Sequence, residues 1–227
     1  MRALALIALV GCTGVKPVHQ RERAAPLAGA VTVVPGELME LEVTLRGIKV
    51  GHVQTAIGWP GVVDGHRAVI VRSRGKTDGL LALIGDITWE LTSTIDLDSG
   101  EAISSVEEAW VEFAGEKHHE RQPSHEGEHD IHATVGAVRG WRSKPGDRSE
   151  LDCAIGGAHL QVALWHSGRG FAAHQPAIHY EGIVQDEFPI AAWVSDDAAR
   201  VPLRLTAQSP WGEIAVDLVD YQVPADR

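Results

Sequence analysis

His125-Glu126-Gly127-Glu128-His129 is the stretch of this chain whose residue types most directly suggest chemistry, because it fits H-E-x-x-H. On a helix, that spacing puts two imidazoles on one face to bind Zn²⁺, while the Glu polarises a water. The neighbouring residues oppose this reading. Pro123 and Gly127 weaken a helix here, and no apolar helix precedes the motif. If the segment is helical, His125, His129 and His132 share a face at i, i+4 and i+7. An apolar stripe of Ile131, Val135 and Val138 has the same spacing and lies roughly 120° away, at about 100° per residue. The His face is therefore expected to flank solvent. His125, His129 and His132, helped by Glu128, are expected to form a weak surface site for Zn²⁺ or Ni²⁺ that neither folding nor function requires. Cofactors are otherwise expected to be absent.

Other candidates are fewer. There is no G-x-S-x-G, Walker loop or dinucleotide fingerprint. Glu107 and Glu108 would point to opposite faces of a strand, and Asp196-Asp197 suits a turn, so neither pair makes a two-carboxylate site. Arg139 sits beside the apolar stripe and reads as a structural ion pair or a contact to a ligand headgroup. Cys153, within Leu151-Asp152-Cys153-Ala154-Ile155, reads as a small buried residue. The protein is not expected to be an enzyme.

The elements that must hold these residues are mostly strands. Met39, Leu41, Val43 and Leu45 alternate with polar residues. Further strands are expected in RAVIVRSRG, along Trp89, Leu91, Ser93 and Ile95, and from about 103 to 113, with a polar edge near 116–123. After the helix come strands near 148–155, 158–167 and 177–185, then Ile190–Val194, Val201–Leu205 and Ile214–Leu218. Asp130 is placed to cap the central helix, Lys144-Pro145-Gly146 stops it, and residues 78–84 form a short apolar turn or helix. Trp89, Trp110, Trp165, Trp193 and Trp211 fall on or beside strands and read as core filling. The expected fold is mainly β: a large curved antiparallel sheet or half-open β-barrel with one central and one short helix.

The chain's start suggests an address. Met1-Arg2 and the apolar run ALALIALVG are too short to span a bilayer and have the form of a secretory signal. Leu9-Val10-Gly11-Cys12 resembles the lipobox of bacterial lipoproteins, which implies cleavage before Cys12 and its acylation. The expected divisions are a signal over 1–11, a tether over 12–36, one β-rich domain over 37–222 and a tail over 223–227. Thr13 stands where an inner-membrane retention Asp would be, so a periplasm-facing outer-membrane lipoprotein is expected. With 20 Lys and Arg against 31 Asp and Glu, the net charge of −11 argues against nucleic acid and anionic headgroups as partners.

Three stretches carry a family resemblance. PGELMELEVTLRGIKVGHV, HDIHATVGAVRGWRSKPGDR and AAWVSDDAARVPLRLTAQSPWGEIAVDLVDY resemble the opening strands, central helix and closing hairpin of the domain of unknown function 3108 family. The likeness spans 35–222 and departs from the family in the His-rich segment. It implies an exported bacterial protein, similar in architecture to the LolA/LolB lipoprotein carriers. The function expected is a non-enzymatic carrier or envelope-assembly factor holding an apolar or lipid ligand in the concave sheet face. A metal-dependent hydrolase using His125, Glu126 and His129, and a structural envelope protein, are the competing readings.

Overall fold

The computed structural model describes residues 31–82, 85–124 and 129–223. It holds thirteen strands and two helices in one chain order. The first run is β1 (Leu38–Leu45), β2 (Ile48–Ile57), β3 (Gly61–Val63), β4 (His66–Thr77), α1 (Gly79–Ala82), β5 (Gly85–Asp96), β6 (Ala102–Phe113) and β7 (Glu116–Ser124). Helix α2 (Ile131–Gly140) follows, and then β8 (Arg148–Ile155), β9 (Ala158–Ala172), β10 (Gln175–Val184), β11 (Phe188–Ser195), β12 (Pro202–Ser209) and β13 (Gly212–Gln222).

All the strands belong to one antiparallel sheet, ordered β7-β6-β5-β4-β2-β1-β13-β12-β11-β10-β9-β8, with β3 on β4. Sequence neighbours therefore pair as hairpins, and the two runs join where β1 meets β13, from Leu38↔Gln222 to Leu45↔Ile214. Had β7 and β8 paired, the sheet would close as an up-and-down barrel. The chain instead spends the residues between them on α2. The curved sheet with one substantial and one short helix is as the sequence predicts.

Period-two patterning sets which face goes inside. Along β4, Val69, Val71, Ser73, Gly75 and Thr77 are buried, while Ile70, Arg72, Arg74 and Lys76 are exposed. One core cluster joins Met39, Ile57, Val69, Val71 and Ile95 to Ala133 of α2 and Leu203 of β12. A second joins Cys153, Leu160, Val162, Leu164, Val184 and Phe188, with Ile131, Val138 and Trp141 packed on it. Helix α2 thus fills the concavity that the sequence assigns to a ligand.

The helix seats only partly on its apolar stripe. Its buried residues are His132, Ala133, Gly136, Ala137, Arg139 and Gly140, whereas Val135 is 38% exposed. Small side chains let it lie close to its neighbours, and Val31 occupies the space where a Gly136 Cβ would stand. Thr32 N donates to Gly136 O at 3.1 Å. Residues 31–36 are therefore packed against the domain, which corrects a tether extending to residue 36. The tryptophans also depart from expectation: none of the seven is fully buried, and Trp59, Trp110 and Trp211 are exposed. No helix among the described residues is long and apolar enough to cross a membrane.

Candidate functional site: the seat of α2 and the adjoining seam

Asp130 starts the site. It adopts extended backbone as the N-cap of α2, and its Oδ1 accepts from Ala133 N at 2.9 Å. Its Oδ2 accepts from Ser93 Oγ of β5 at 2.5 Å. Ser93 Oγ also lies 2.6 Å from His132 Nδ1, and His132 Nε2 lies 2.8 Å from Ser73 Oγ of β4. Thr55 Oγ1 of β2 completes the line, 2.7 Å from Ser73 Oγ. All five residues are buried.

Counting protons orients this relay. Ser93 Oγ donates its single hydroxyl proton to Asp130 Oδ2, so it must accept from His132. His132 therefore carries its proton on Nδ1 and presents Nε2 as an acceptor. Ser73 donates to that Nε2 and accepts from Thr55. Burial pushes the His132 pKa down to about 4 against an opposing pull from Asp130, so the ring is neutral near pH 7. The composition is that of a serine-histidine-aspartate triad, but the serine stands between the acid and the ring. Neither serine has an approach for a substrate, Ser93 being 0% and Ser73 4% exposed.

This placement corrects the three-histidine metal site. Both nitrogens of His132 are used inside the core, so it cannot ligate a metal at the surface. His129 precedes the helix, and its carbonyl accepts from Ala154 N at 2.7 Å. His125, Glu126 and Glu128 lie outside the described residues. Among the described residues, no three His, Cys, Asp or Glu gather as a metal site.

Arg139, at the other end of α2, is 1% exposed and forms a bidentate pair with Glu37, at 2.8 and 2.7 Å. It also donates to Ala199 O at 3.0 Å. Tyr221 of β13 gives its hydroxyl proton to Glu37 Oε1 at 2.5 Å, and burial together with Glu37 holds that phenol above its ordinary pKa. The pair is sealed within the domain. Cys153 is buried too, and burial pushes its thiol up to about 11, so it is a packing residue and not a nucleophile. Cys12 lies outside the described residues.

Beside the relay the sheet has its seam. Glu107 of β6 accepts from Trp89 Nε1 at 2.6 Å and, across the gap, from Gly156 N in the β8–β9 turn at 2.8 Å. Asp130 forms an isolated parallel bridge with Ala154 of β8. Between these ties is a cavity of about 110 Å³ whose walls include Trp89, Leu91, Glu107, Asp130, Ile131 and Ile155. A larger hollow of about 640 Å³ by Phe171, Trp193 and Arg204 is shallow. It is partly spoken for, since Arg204 lies over Trp193 and pairs with Asp217 at 3.1 Å. The seam cavity is the better candidate because it is the more enclosed and brings apolar side chains together with the carboxylates of Glu107 and Asp130.

The relay and the seam were not read from the sequence. Their signal is there: Ser73 and Ser93 occupy inward positions in otherwise apolar alternations, Val69-Val71-Ser73 and Leu91-Ser93-Ile95. Hydroxyls in that register require a buried polar partner.

No family model matches the chain, and no curated protein matches it. Among solved structures it is similar to the crystal structure of a β-barrel-like protein of domain of unknown function 1849 from Brucella abortus. The TM-score is 0.58 at 11% identity, over 86% of this chain and all of that one. It also aligns with a protein from Bacteroides fragilis described as exported, with a YmcC-like fold. That match has a TM-score of 0.38 at 7% identity, over 86% of this chain and all of that one. The first likeness shows the β-barrel-like fold. The resemblance to the 3108 family rests on its quoted motifs alone.

Proposed function

We propose that the protein is a non-enzymatic carrier or assembly factor of the bacterial envelope. In this reading it is anchored through Cys12 at the periplasmic face of the outer membrane, and it takes the end of an apolar or lipid-like ligand at the seam between β7 and β8. The observation that supports this most is the seam cavity itself. It is a gap between two sheet edges, walled by Trp89, Leu91, Ile131 and Ile155 and flanked by carboxylates already supplied with donors. At about 110 Å³ it is smaller than the ~300 Å³ at which small-molecule sites usually begin. It therefore suits the tip of a slender chain, and a longer segment would need α2 to shift. The lipobox and the 3108 resemblance support export and anchoring. Burial of Ser73, Ser93 and His132 disfavours hydrolysis by the relay.

Native mass spectrometry of the detergent-extracted protein tests this reading. The expected result is a bound apolar mass that disappears when Ile155→Trp or the milder Leu91→Phe fills the cavity, with folding checked by circular dichroism. A wild-type protein with no bound mass, or variants that keep it, would favour a purely structural envelope role.

A further inference from the structure

The β3–β4 hairpin has features that core packing does not explain. β3 pairs only with β4, from Gly61↔Ala68 to Val63↔His66. Asp64 and Gly65 close it at φ 50° and 85°, the left-handed pair of a two-residue hairpin turn. Its large apolar side chains face outward: Val62 is 77% exposed, Trp59 64% and Ile70 51%. Gly58 N donates to Ile70 O at 2.8 Å, so Trp59 leaves the ladder beside Ile70. One exposed apolar residue needs no explanation, but Trp59 beside Ile70, with Val62 on the opposite face of the hairpin across from Arg67, surrounds this end of the molecule with apolar side chains and marks an interaction site. Next to it His66 Nδ1 lies 2.7 Å from Asp96 Oδ2, and the Arg67 cation is matched by Asp98 at 3.4 Å.

The chain enters the domain on this same side. Gly36 N and Ile57 O, and Ile57 N and Glu37 O, extend the β1–β2 ladder toward Trp59, at 2.9 Å each. Val31 packs over Gly100 in the β5–β6 turn, where Leu97 N donates to Arg67 O at 2.8 Å. Cys12 lies 19 residues before Val31. At most about 3.5 Å per residue, that length reaches no more than about 67 Å, so an anchor at Cys12 keeps the domain close to a bilayer without choosing its orientation.

We infer that the Trp59–Val62–Ile70 hairpin is a bilayer-docking surface that seats in the headgroup region of zwitterionic lipid and turns the domain's entry side toward the membrane. The inference rests on the anchored reading of Cys12. Tryptophan favours the interface because its ring is apolar while its N–H stays wet. Matched charges around the hairpin and the acidic balance of the chain remove any basis for selecting anionic lipid. Trp211 supplies a built-in control. It lies in the β12–β13 turn, next to the Leu45↔Ile214 end of the ladder, whereas Trp59 follows the opposite end at Leu38↔Ala56.

The test uses the full lipidated chain, purified from membranes and reconstituted in phosphatidylcholine vesicles carrying acyl-brominated lipid. Tryptophan emission should be quenched in the wild type. Trp59→Phe should remove the quenchable component, Trp211→Phe should leave it, and Val62→Asp with Ile70→Asp should abolish it while the protein still floats with the vesicles. Equal quenching in wild type and Trp59→Phe, or its loss in Trp211→Phe, overturns the docking surface and leaves the anchor standing. Loss of a dimer in Val62→Asp/Ile70→Asp with quenching unchanged also overturns it, because the hairpin would then join two copies. If the chain fails to float and its N-terminal peptide carries no acyl mass, the anchored reading fails and the docking surface with it.

Discussion

His132 shows how a residue that invites a chemical reading can owe its place to structure. From spacing alone it belongs with His125 and His129 on a solvent face. In the fold it is the hinge of a proton-ordered line from Thr55 to Asp130. Its depressed pKa gives a sign to stability against pH. The unfolded ring, near 6.5, binds a proton that the folded ring, near 4, refuses, so this contribution is complete above pH ~6.5 and is lost as pH falls toward ~4. The difference corresponds to roughly 3 kcal/mol, at about 1.4 kcal/mol per pH unit. Urea unfolding at pH 7 and at pH 4.5 should show that loss in the wild type. The loss should be much smaller in His132→Gln, even though that variant is less stable at pH 7. Equal pH slopes would mean that another group carries the acid sensitivity.

At the scale of the element, α2 was legible in its start and only in part in its orientation. Asp130 and the Lys144-Pro145-Gly146 stop bracket it as the sequence suggests. Of the stripe, Ile131 and Val138 pack on the second core cluster while Val135 is exposed, and the most deeply buried apolar positions of the helix carry small residues. Those residues are Ala133, Gly136 and Ala137. Gly136→Ala should therefore destabilise the protein by about 1–3 kcal/mol through overpacking against Val31. Val31→Ala should restore much of that loss, which thermal unfolding of the double-mutant cycle would reveal as coupling. Additive effects would show that the two residues do not share a seat. Hairpin turns divide in the same way. Arg46-Gly47, Asp64-Gly65 and Gly156-Gly157 announce themselves, whereas Ala173-His174 and Gln185-Asp186 take left-handed backbone without a glycine. Turns of the second kind have no sequence signal strong enough to fix a strand end, and β9 accordingly runs to Ala172, past its expected end near 167.

At the scale of the whole molecule, four distant segments meet at one buried ion pair. Arg139 closes α2, Glu37 precedes β1, Tyr221 ends β13 and Ala199 lies between β11 and β12. Such a pair contributes little net free energy while both partners remain, yet breaking it strands a charge away from water. Arg139→Met alone should cost about 3–5 kcal/mol, while Arg139→Met with Glu37→Leu should recover much of it. Denaturant midpoints of the two variants decide the matter, and a double variant no better than the single would assign the loss to packing. Most of the strands and the place of the helix were readable from alternation and its interruption, whereas the three-residue β3 was not. The meeting of these four segments was not, because it depends on the wrap of the sheet, which no local pattern encodes.

The pairing of β1 with β13 also governs the order in which the fold can be finished. Every other neighbour of a strand follows it closely along the chain, so each hairpin can form as soon as its second arm exists. β1 alone must wait for residues 212–222, and until they arrive Leu38–Leu45 and Pro202–Ser209 each keep one bare edge of unpaired amides and carbonyls. Such edges are templates for pairing with other chains. A chain emerging N-terminus first would thus carry an open, apolar strand through nearly its whole passage, with the eleven residues of β13 as its last safeguard against aggregation.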